Sequence, residues 1–433
     1  MKTILYSVST GYIARNLLRT GVLEKLLKLD DIRIVVLTPG YDDENFVKEF
    51  SFSERIFIEK LFDVDRLPDL MDRLIWKFWL LAHDNKFFLW LHNFLMKVQI
   101  RKRYYNKYHR LYGSIFDKYK PDLVIGGSLG VYSRRDIPVY AEAKKRGIKT
   151  LVLIHSWDNL AKRKGPIWFK SDSLGVWNEF QKKEAQTHHF YKDEDIYLLG
   201  PAHFDIYWKK DTFMPREEFF RKMGLDPEKK LITMVATCPG LLKNAYIVDI
   251  LLDALRKKKF AYPVYLICRP TPTSPDKNEL DFSKFYNQPD IIVDNQARHS
   301  LKLGWNPNKQ ELYHFANLVK HTDVQVSIVS TATIEAAILD RPVVNVAFST
   351  VEPELFKKFI IDSVYRHHFK IIKDIGATYL ATNPDDLIDG VNKYLSNPWL
   401  HSKERQKVKQ TLVYKADGMA TERIYQAILG FLR

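Results

Sequence analysis

The sequence has little of what marks secreted or membrane-spanning proteins. Its 433 residues include two cysteines, Cys238 and Cys268, which are too few for a disulfide framework and typical of a reducing compartment. No window supplies the roughly 20 charge-free apolar residues that a spanning helix needs. The apolar stretch 4–8 is followed by no cleavage-like pattern, so it predicts a first strand rather than a signal peptide. We therefore expect a cytoplasmic protein, either free or peripherally attached to the inner face of the cell membrane.

Acidic residues are fewer than basic residues in this sequence. Lysine and arginine number 67 against 52 aspartates and glutamates, which gives a net charge of +15. Such a surplus favours a polyanionic partner, such as anionic lipid, nucleic acid or a phosphorylated substrate, and charge alone does not choose among them. The length and the 46% apolar content predict a folded protein with two domains rather than one.

The first 200 residues alternate between strand-like and helix-like patterns. An N-terminal strand, a turn at Gly11, a helix over 13–27 and a second strand form a βαβ unit, the building block of a doubly wound sheet. Gly11 gives the turn its backbone freedom and is a candidate for a ligand contact at that edge. Near 207–214, Lys, Asp and Pro replace the apolar periodicity, which predicts a linker. We predict one Rossmann-like domain over 1–208 and a second over 209–405.

The segment 322–348 reads as a strand, a tight turn, a short helix and a second buried strand. Ser330, Thr331 and Thr333 place hydroxyls where the helix begins. A helix that begins at the carboxyl end of a parallel strand directs unpaired N–H groups into the ligand-binding edge, which suits a phosphate. Glu335 follows in the first turn, where it can accept hydrogen bonds from a sugar ring. The alternative is that these hydroxyls only cap a structural helix.

This segment resembles the donor-nucleotide site of GT-B glycosyltransferases, and that of the related CDP-glycerol glycerophosphotransferases and UDP-sugar 2-epimerases. The resemblance implies that Ser330, Thr331 and Thr333 hold the donor phosphates and that Glu335 holds the ribose. It also implies a nucleotide-activated sugar donor and a glycan or lipid-linked acceptor.

Other parts of the predicted second domain extend this expectation. By the same resemblance, Arg269, which ends a predicted strand before Pro270, lies where these families place a cation or a histidine against the donor phosphates. Thr237 ends the first strand of this domain in a turn facing the ligand, with Lys243 nearby, and both are candidate phosphate contacts. Trp305 lies in a predicted loop and either stacks on the nucleobase or only packs against its neighbours.

In the predicted first domain, a buried strand ends at His155 and is followed by Asp158. His155 can accept a proton near neutral pH, and Asp158 can be the base itself or orient an acceptor. The stretch resembles the His-Gly segment of CDP-glycerol transferases, whose histidine is the proposed base. The match holds at the histidine and fails at Ser156, which stands where the family has glycine. The base therefore stays open between His155 and Asp158.

The region 75–110 combines aromatic residues with a basic run and contains no Asp or Glu after Asn85. One interpretation is that its helices pack into the first domain. A second is an anionic membrane surface, with aromatics at headgroup depth and cations against lipid phosphates. Nucleic acid is the least favoured partner, because no recognised nucleic-acid-binding motif accompanies the region.

The segment 417–424 resembles the closing D-G-x-A-x-x-R-I of epimerases and glycerophosphotransferases, which implies that a helix over 406–433 returns to the first domain. We predict the α/β GT-B class, two Rossmann-like doubly wound domains facing across a cleft. The expected activity is transfer of a sugar or a sugar-alcohol phosphate to a hydroxyl, without a cofactor or a metal, in cell-envelope glycan or glycolipid synthesis. Two alternatives remain: a UDP-sugar 2-epimerase, whose Arg-Pro-Glu and His-x-Glu-Ala-Gly segments are missing here, and a non-catalytic membrane- or nucleic-acid-binding protein.

Overall fold

Contacts within the chain divide it into two units. The computed structural model describes all residues except 65–69, 83–84, 101, 104–105, 131–132, 238–242 and 273–280, with the backbone alone at 106, 107, 109, 110, 163 and 366. The first unit contains Met1–Asp205, His299–Pro307 and Met419–Arg433. The second unit contains Ile206–Arg298 and Asn308–Gly418.

A parallel sheet forms the centre of the first unit. Its strands are β1 (Lys2–Ser7), β2 (Ile32–Thr38), β3 (Ile56–Lys60), β4 (Leu123–Gly126), β5 (Lys149–Leu153), β6 (Ser173–Val176) and β7 (Ile196–Leu198). They lie in the order β3-β2-β1-β4-β5-β6-β7. In β1, Ile4, Leu5 and Tyr6 are all buried, as expected for a strand covered by helices on both faces. The strand order reverses between β1 and β4, and the loops after these strands diverge there.

Helices surround this sheet. They are α1 (Gly11–Leu17), α2 (Val22–Leu26), α3 (Glu44–Phe50), α4 (Leu70–Ala82), α5 (Lys86–Ile100), α6 (Asn106–Tyr119), α7 (Ile137–Lys145) and α8 (Glu179–His189). The prediction of one helix over 13–27 is wrong, because the chain breaks into α1 and α2 at Gly21. Gly21 has φ 89°, a left-handed conformation that a continuous right-handed helix excludes.

The second unit repeats the architecture on a smaller sheet. Its strands are β8 (Lys230–Val235), β9 (Val264–Arg269), β10 (Ile291–Val293), β13 (Val324–Ser327), β14 (Val343–Val346) and β15 (Tyr379–Ala381). They lie in the order β10-β9-β8-β13-β14-β15 and pair in parallel. Its helices are α9 (Arg216–Lys222), α10 (Ala245–Arg256), α11 (Lys309–His321), α12 (Ala332–Ile338), α13 (Pro353–Phe356), α14 (Lys370–Ile375), α15 (Pro384–Ser396) and α16 (Ser402–Leu412).

Two later segments of the chain belong to the first unit. One is a hairpin of β11 (His299–Ser300) and β12 (Gly304–Trp305), and the other is the final helix α17 (Ala420–Leu432). The carboxylate of Asp205 accepts hydrogen bonds from two amides at the start of α17, and apolar residues of α17 join the core of this unit. The predicted domain boundaries at 208/209 and 405/406 stay predictions.

Both parallel sheets are flanked by helices, which confirms the predicted α/β doubly wound architecture of each half. Within the described residues, no helix is both long and apolar enough to cross a membrane. Cys268 is a buried free thiol at the end of β9, whereas Cys238 lies outside the described residues.

Candidate functional sites in the two units

In the second unit, the strand order reverses between β8 and β13. The loops after these strands are joined by Thr237, whose hydroxyl donates a hydrogen bond to the carbonyl oxygen of Val329 (2.7 Å). The backbone of Thr237 also exchanges two hydrogen bonds with the side-chain amide of Asn244. Thr237 therefore fixes the shape of the edge where a doubly wound sheet binds ligands, and its predicted contact with a phosphate stays a prediction.

The three hydroxyls predicted to hold donor phosphates follow β13. Ser330 Oγ accepts a hydrogen bond from the amide of Ala332 (3.2 Å), and Thr331 directly precedes α12 without a side-chain capping bond. Thr333 is 1% exposed, and its hydroxyl has no hydrogen-bond partner among the described residues. A buried hydroxyl without a partner is unfavourable. The hydroxyl of Thr333, in the first turn of α12, therefore has unused hydrogen-bonding capacity.

Glu335, predicted to hold the ribose, is 8% exposed in α12. The hydroxyl of Tyr207 donates a hydrogen bond to its Oε2 atom. Tyr207 was missed by the sequence reasoning, because residues 207–214 were predicted only as a linker. The signal that could have found it is a large aromatic residue at the first position of an otherwise polar segment.

Arg269 ends β9 and is 5% exposed. Its Nη1 donates to Asp294 Oδ2 (2.6 Å), and its Nη2 lies 3.4 Å from Glu311 Oε1. Burial pushes the pKa of Asp294 upward, but the hydrogen bond from His314 and the charge of Arg269 outweigh burial and hold it below its usual value. Two buried carboxylates thus balance the guanidinium, a different set of partners from the predicted donor phosphates. Asp294 directly follows the neighbouring strand β10, which was the signal available in the sequence.

Lys243 is exposed, and its backbone amide donates to Glu352 Oε2 (3.2 Å). It directly follows residues 238–242, which lie outside the described part of the chain. Its predicted contact with a donor phosphate stays a prediction.

In the first unit, His155 follows β5 and is 7% exposed. Its Nδ1 lies 2.5 Å from the carbonyl oxygen of Gly127, in the loop after β4. A carbonyl oxygen only accepts, so Nδ1 carries the hydrogen and Nε2 carries the lone pair. Burial lowers the pKa of His155 to about 4, and the Gly127 hydrogen bond and the charge of Asp158 offset only part of that effect. The imidazole is therefore neutral at pH 7 with its lone pair on Nε2, and the same burial makes it a weaker base than a free imidazole.

Asp158, the other candidate base, lies in contact with Ser156 and Lys164. The hydroxyl of Ser156 donates to its Oδ1 (2.6 Å), and Nζ of Lys164 lies 2.6 Å from its Oδ2. Each oxygen of the carboxylate therefore contacts a hydrogen-bond donor. The prediction that the base is either His155 or Asp158 stays a prediction.

The hairpin that contains Trp305 packs on α1. The Trp305 ring lies 5.7 Å from Tyr12, and the guanidinium of Arg15 lies 4.4 Å from Tyr12 and 5.3 Å from Trp305. Gly11 donates its amide hydrogen to Leu303, and a Cβ at Gly11 would lie 2.2 Å from the carbonyl oxygen of Trp305. Gly11 thus permits a close approach of the hairpin. Trp305 belongs to the first unit and packs against its neighbours, which is one of the two alternatives that the sequence left open, and its predicted contact with the nucleobase stays a prediction.

Arg15 is a candidate site residue that the sequence reasoning missed. Its Nη2 atom is buried and has no hydrogen-bond partner among the described residues, whereas its Nε donates to Asn16 Oδ1 (2.8 Å). The side-chain amide of Asn16 in turn donates to the backbone carbonyl of His155 (2.7 Å). A buried cation beside the candidate base suits an anionic ligand group, and an arginine at the interior of the first helix was its only signal in the sequence.

Helices α4 and α5 expose an unusual number of large apolar side chains. Those on the two helices are Leu70, Trp76, Leu80, Leu81, Phe87, Trp90, Phe94 and Val98. Trp90, which is 60% exposed, stacks on Phe94 with ring centroids 5.7 Å apart. Of the predicted basic and aromatic run, Arg101, Tyr104 and Tyr105 lie outside the described residues.

Within the described residues, no group of three or more His, Cys, Asp or Glu side chains is arranged to hold a metal ion. The expectation that the protein needs no metal stays a prediction, as does the expectation that it needs no cofactor.

Comparisons with solved structures identify similar folds at low sequence identity. The chain is similar to a glycosyltransferase from Rickettsia africae ESF-5, with 14% identity and a TM-score of 0.54 over 99% of this chain and 98% of that chain. It is similar to a UDP-GlcNAc 2-epimerase from Neisseria meningitidis bound to UDP-GlcNAc, with 12% identity and a TM-score of 0.55 over 99% of this chain and 100% of that chain. It is also similar to the wall teichoic acid polymerase TagF with CDPG, with 14% identity and a TM-score of 0.55 over 99% of this chain and 88% of that chain.

No protein-family model and no curated protein sequence matches the chain. The likeness to solved structures therefore confirms the predicted fold, which the chain shares with the glycosyltransferase, the epimerase and the polymerase structures. This protein has the GT-B type of α/β fold, in which each unit carries a doubly wound parallel sheet.

Proposed function

We propose that the protein is a transferase that moves a sugar, or a sugar-alcohol phosphate, from a nucleotide-activated donor to a hydroxyl. The observation that carries this proposal is the likeness, over 99% of the chain, to structures described with UDP-GlcNAc and with CDPG. A hydroxyl-rich turn at the switch point of the second sheet supports the same conclusion, because this edge is where doubly wound sheets bind phosphorylated ligands.

The second unit is the proposed donor side. The backbone amides after Ser330 and the hydroxyls of Thr331 and Thr333 would bind the donor phosphates and stabilise the leaving nucleotide. Glu335 would accept hydrogen bonds from the ribose, with Tyr207 orienting its carboxylate. Arg269 would hold the shape of this edge through its contacts with Asp294 and Glu311. It would not act as an isolated cation.

The first unit is the proposed acceptor side. Nε2 of His155 would take the proton of the attacking hydroxyl as the new bond forms and the nucleotide leaves with the electron pair of the broken bond. The fixed tautomer supports this role, because the hydrogen bond from Nδ1 to Gly127 leaves the lone pair on Nε2. The Arg15 guanidinium beside His155 would bind an anionic group of the acceptor.

A UDP-sugar 2-epimerase is the second candidate, favoured by the match to the Neisseria meningitidis epimerase over the whole of that chain. The two functions differ in outcome with a UDP-sugar alone. An epimerase interconverts the 2-epimers without an acceptor, whereas a transferase leaves the sugar configuration unchanged until an acceptor hydroxyl is supplied.

The experiment that tests the proposal is a thermal-shift screen with UDP-, GDP-, CDP-, CMP- and dTDP-linked compounds, followed by proton NMR of the compound that binds. A ligand at about one hundred times its dissociation constant stabilises a protein by ~2.7 kcal/mol, a shift that is easy to measure. If none of these compounds raises the melting temperature, the donor assignment is wrong. Epimerisation in the NMR arm would favour the second candidate.

We also propose that the protein acts in the cytoplasm at the inner face of the cell membrane, in cell-envelope glycan or glycolipid synthesis. The exposed aromatic side chains of α4 and α5 support this proposal, since aromatics are favoured at headgroup depth. Sedimentation with vesicles of anionic lipid, compared with vesicles of neutral lipid, tests it. If the protein sediments with neither kind of vesicle, the membrane location is contradicted.

A further inference from the structure

The first unit contains a cavity of about 630 Å³ beneath the exposed helices α4 and α5. Its volume lies inside the range of about 300–1,000 Å³ that is usual for small-molecule sites. The apolar part of its wall includes Trp79, Met96, Ile167 and Phe169. The cavity therefore offers an apolar interior large enough for an organic ligand.

The charged part of the wall has one sign. Lys97, Lys144 and Lys170 line the cavity, and none of its described lining residues carries a carboxylate. Nζ of Lys170 donates to the carbonyl oxygen of Phe190 (2.6 Å), which fixes this cation at the wall. Three cations beside an apolar interior complement a ligand with an anionic head and an apolar tail.

The cavity wall is hydrogen-bonded to the segment that carries the candidate base. Nε1 of Trp79 donates to the carbonyl oxygen of Lys162 (3.1 Å), and Nε2 of His189 lies 2.9 Å from the carbonyl oxygen of Leu160. The rings of Trp79 and His189 stack, with centroids 4.9 Å apart. Trp79 and His189 therefore connect the cavity to the loop that follows His155.

We propose that this cavity binds one anionic amphiphile taken from the membrane. Its tail would lie between α5 and residues 167–169, and its anionic head would lie among Lys97, Lys144 and Lys170. The exposed apolar side chains of α4 and α5 would meet the lipid surface from which the ligand enters. The identification of this ligand as the acceptor rests on the proposed function. The existence of the binding site does not depend on that function.

Binding of dodecyl phosphate below its micelle concentration, measured by isothermal titration calorimetry on the full chain, tests this proposal. Each methylene that enters the cavity should tighten binding about fourfold, so a series of shorter alkyl phosphates should lose affinity in regular steps. Inorganic phosphate and the neutral dodecyl maltoside should bind at least tenfold more weakly, because each satisfies only one half of the site.

Matched variants locate the site. Lys144→Glu should weaken dodecyl phosphate binding about tenfold or more, since it replaces an attraction with a repulsion at an exposed position that the fold does not need. Lys145→Glu, one residue further on α7 and outside the cavity lining, should bind as the wild type does. Met96→Trp, which fills the cavity, should abolish the dependence on tail length.

The proposal is overturned if Lys144→Glu and Lys145→Glu behave alike, or if inorganic phosphate or dodecyl maltoside binds as tightly as dodecyl phosphate. Thermal shifts with nucleotides, measured on the wild type and on the same variants, distinguish a failure of this proposal from a failure of the proposed function. If the wild type itself binds no dodecyl phosphate while its nucleotide shift is intact, the cavity proposal alone is wrong. A missing nucleotide shift with intact amphiphile binding counts against the transferase alone.

Discussion

Glu184 on α8 is a buried carboxyl group whose replacement should make the protein more stable at alkaline pH. It is 8% exposed, and its Oε2 has no hydrogen-bond partner among the described residues. Burial, with a smaller contribution from the charge of Asp158, raises the pKa of Glu184 from 4.5 to about 8. The folded chain therefore retains a proton that the unfolded chain releases, so stability falls as pH rises from about 4.5 through about 8.

The magnitude follows from linkage. One pKa unit corresponds to about 1.4 kcal/mol, so the loss of stability due to Glu184 between about pH 5 and pH 8 is on the order of 3 kcal/mol. Glu184→Gln keeps the shape of the neutral side chain and has no proton to lose. We expect the variant to match the wild type near pH 5 and to exceed its stability by several kcal/mol near pH 8.

Urea unfolding followed by tryptophan fluorescence, at these two pH values, measures the difference. Glu179→Gln is the matched control, because Glu179 is exposed in the first turn of the same helix. The control should follow the wild type at both pH values. A Glu184→Gln variant that gains nothing near pH 8, or a Glu179→Gln variant that gains as much, would refute the reasoning.

Three further predictions concern the candidate sites. His155→Gln should reduce the transfer rate by about 100- to 10,000-fold through loss of the base, and it should retain the nucleotide-induced thermal shift. An unchanged transfer rate excludes His155 as the base. Gly11→Ala should destabilise the protein by about 1–3 kcal/mol in urea unfolding, because the new Cβ would lie 2.2 Å from the carbonyl oxygen of Trp305. Full stability of this variant would show that the hairpin can move away. Thr333→Val should raise the stability of the free protein by about 1–2 kcal/mol by removing a buried hydroxyl without a partner, and should weaken nucleotide binding. A gain in stability with unchanged nucleotide binding would leave Thr333 without a role in the donor site.

Local patterns in the sequence were sufficient to predict the two sheets and the points where their strand order reverses. The buried strand before Ser330 and the strand before His155 both read as strands because β-branched and apolar residues run without interruption. Strand-then-helix alternation fixes a doubly wound topology, and that topology fixes the switch points where loops diverge. These features depend on neighbours in the sequence, and the structure contains them.

Contacts between distant residues could not be predicted in the same way. The hydrogen bond between Tyr207 and Glu335 joins residues far apart in the sequence, as does the ion pair of Arg269 with Asp294. The packing of Trp305 on α1 depends on where a short hairpin returns, and no local pattern encodes that position. The cavity under α4 and α5 likewise exists only once several elements pack together.

Hydrogen–deuterium exchange of the full chain, with and without the nucleotide that gives the largest thermal shift, tests the central claim most directly. The account predicts slower exchange of the amides in residues 328–336, around Ser330 and the start of α12, when the nucleotide is bound. Protection confined to other segments, or no protection by any nucleotide in the screen, would contradict the assignment of this turn as the donor phosphate site.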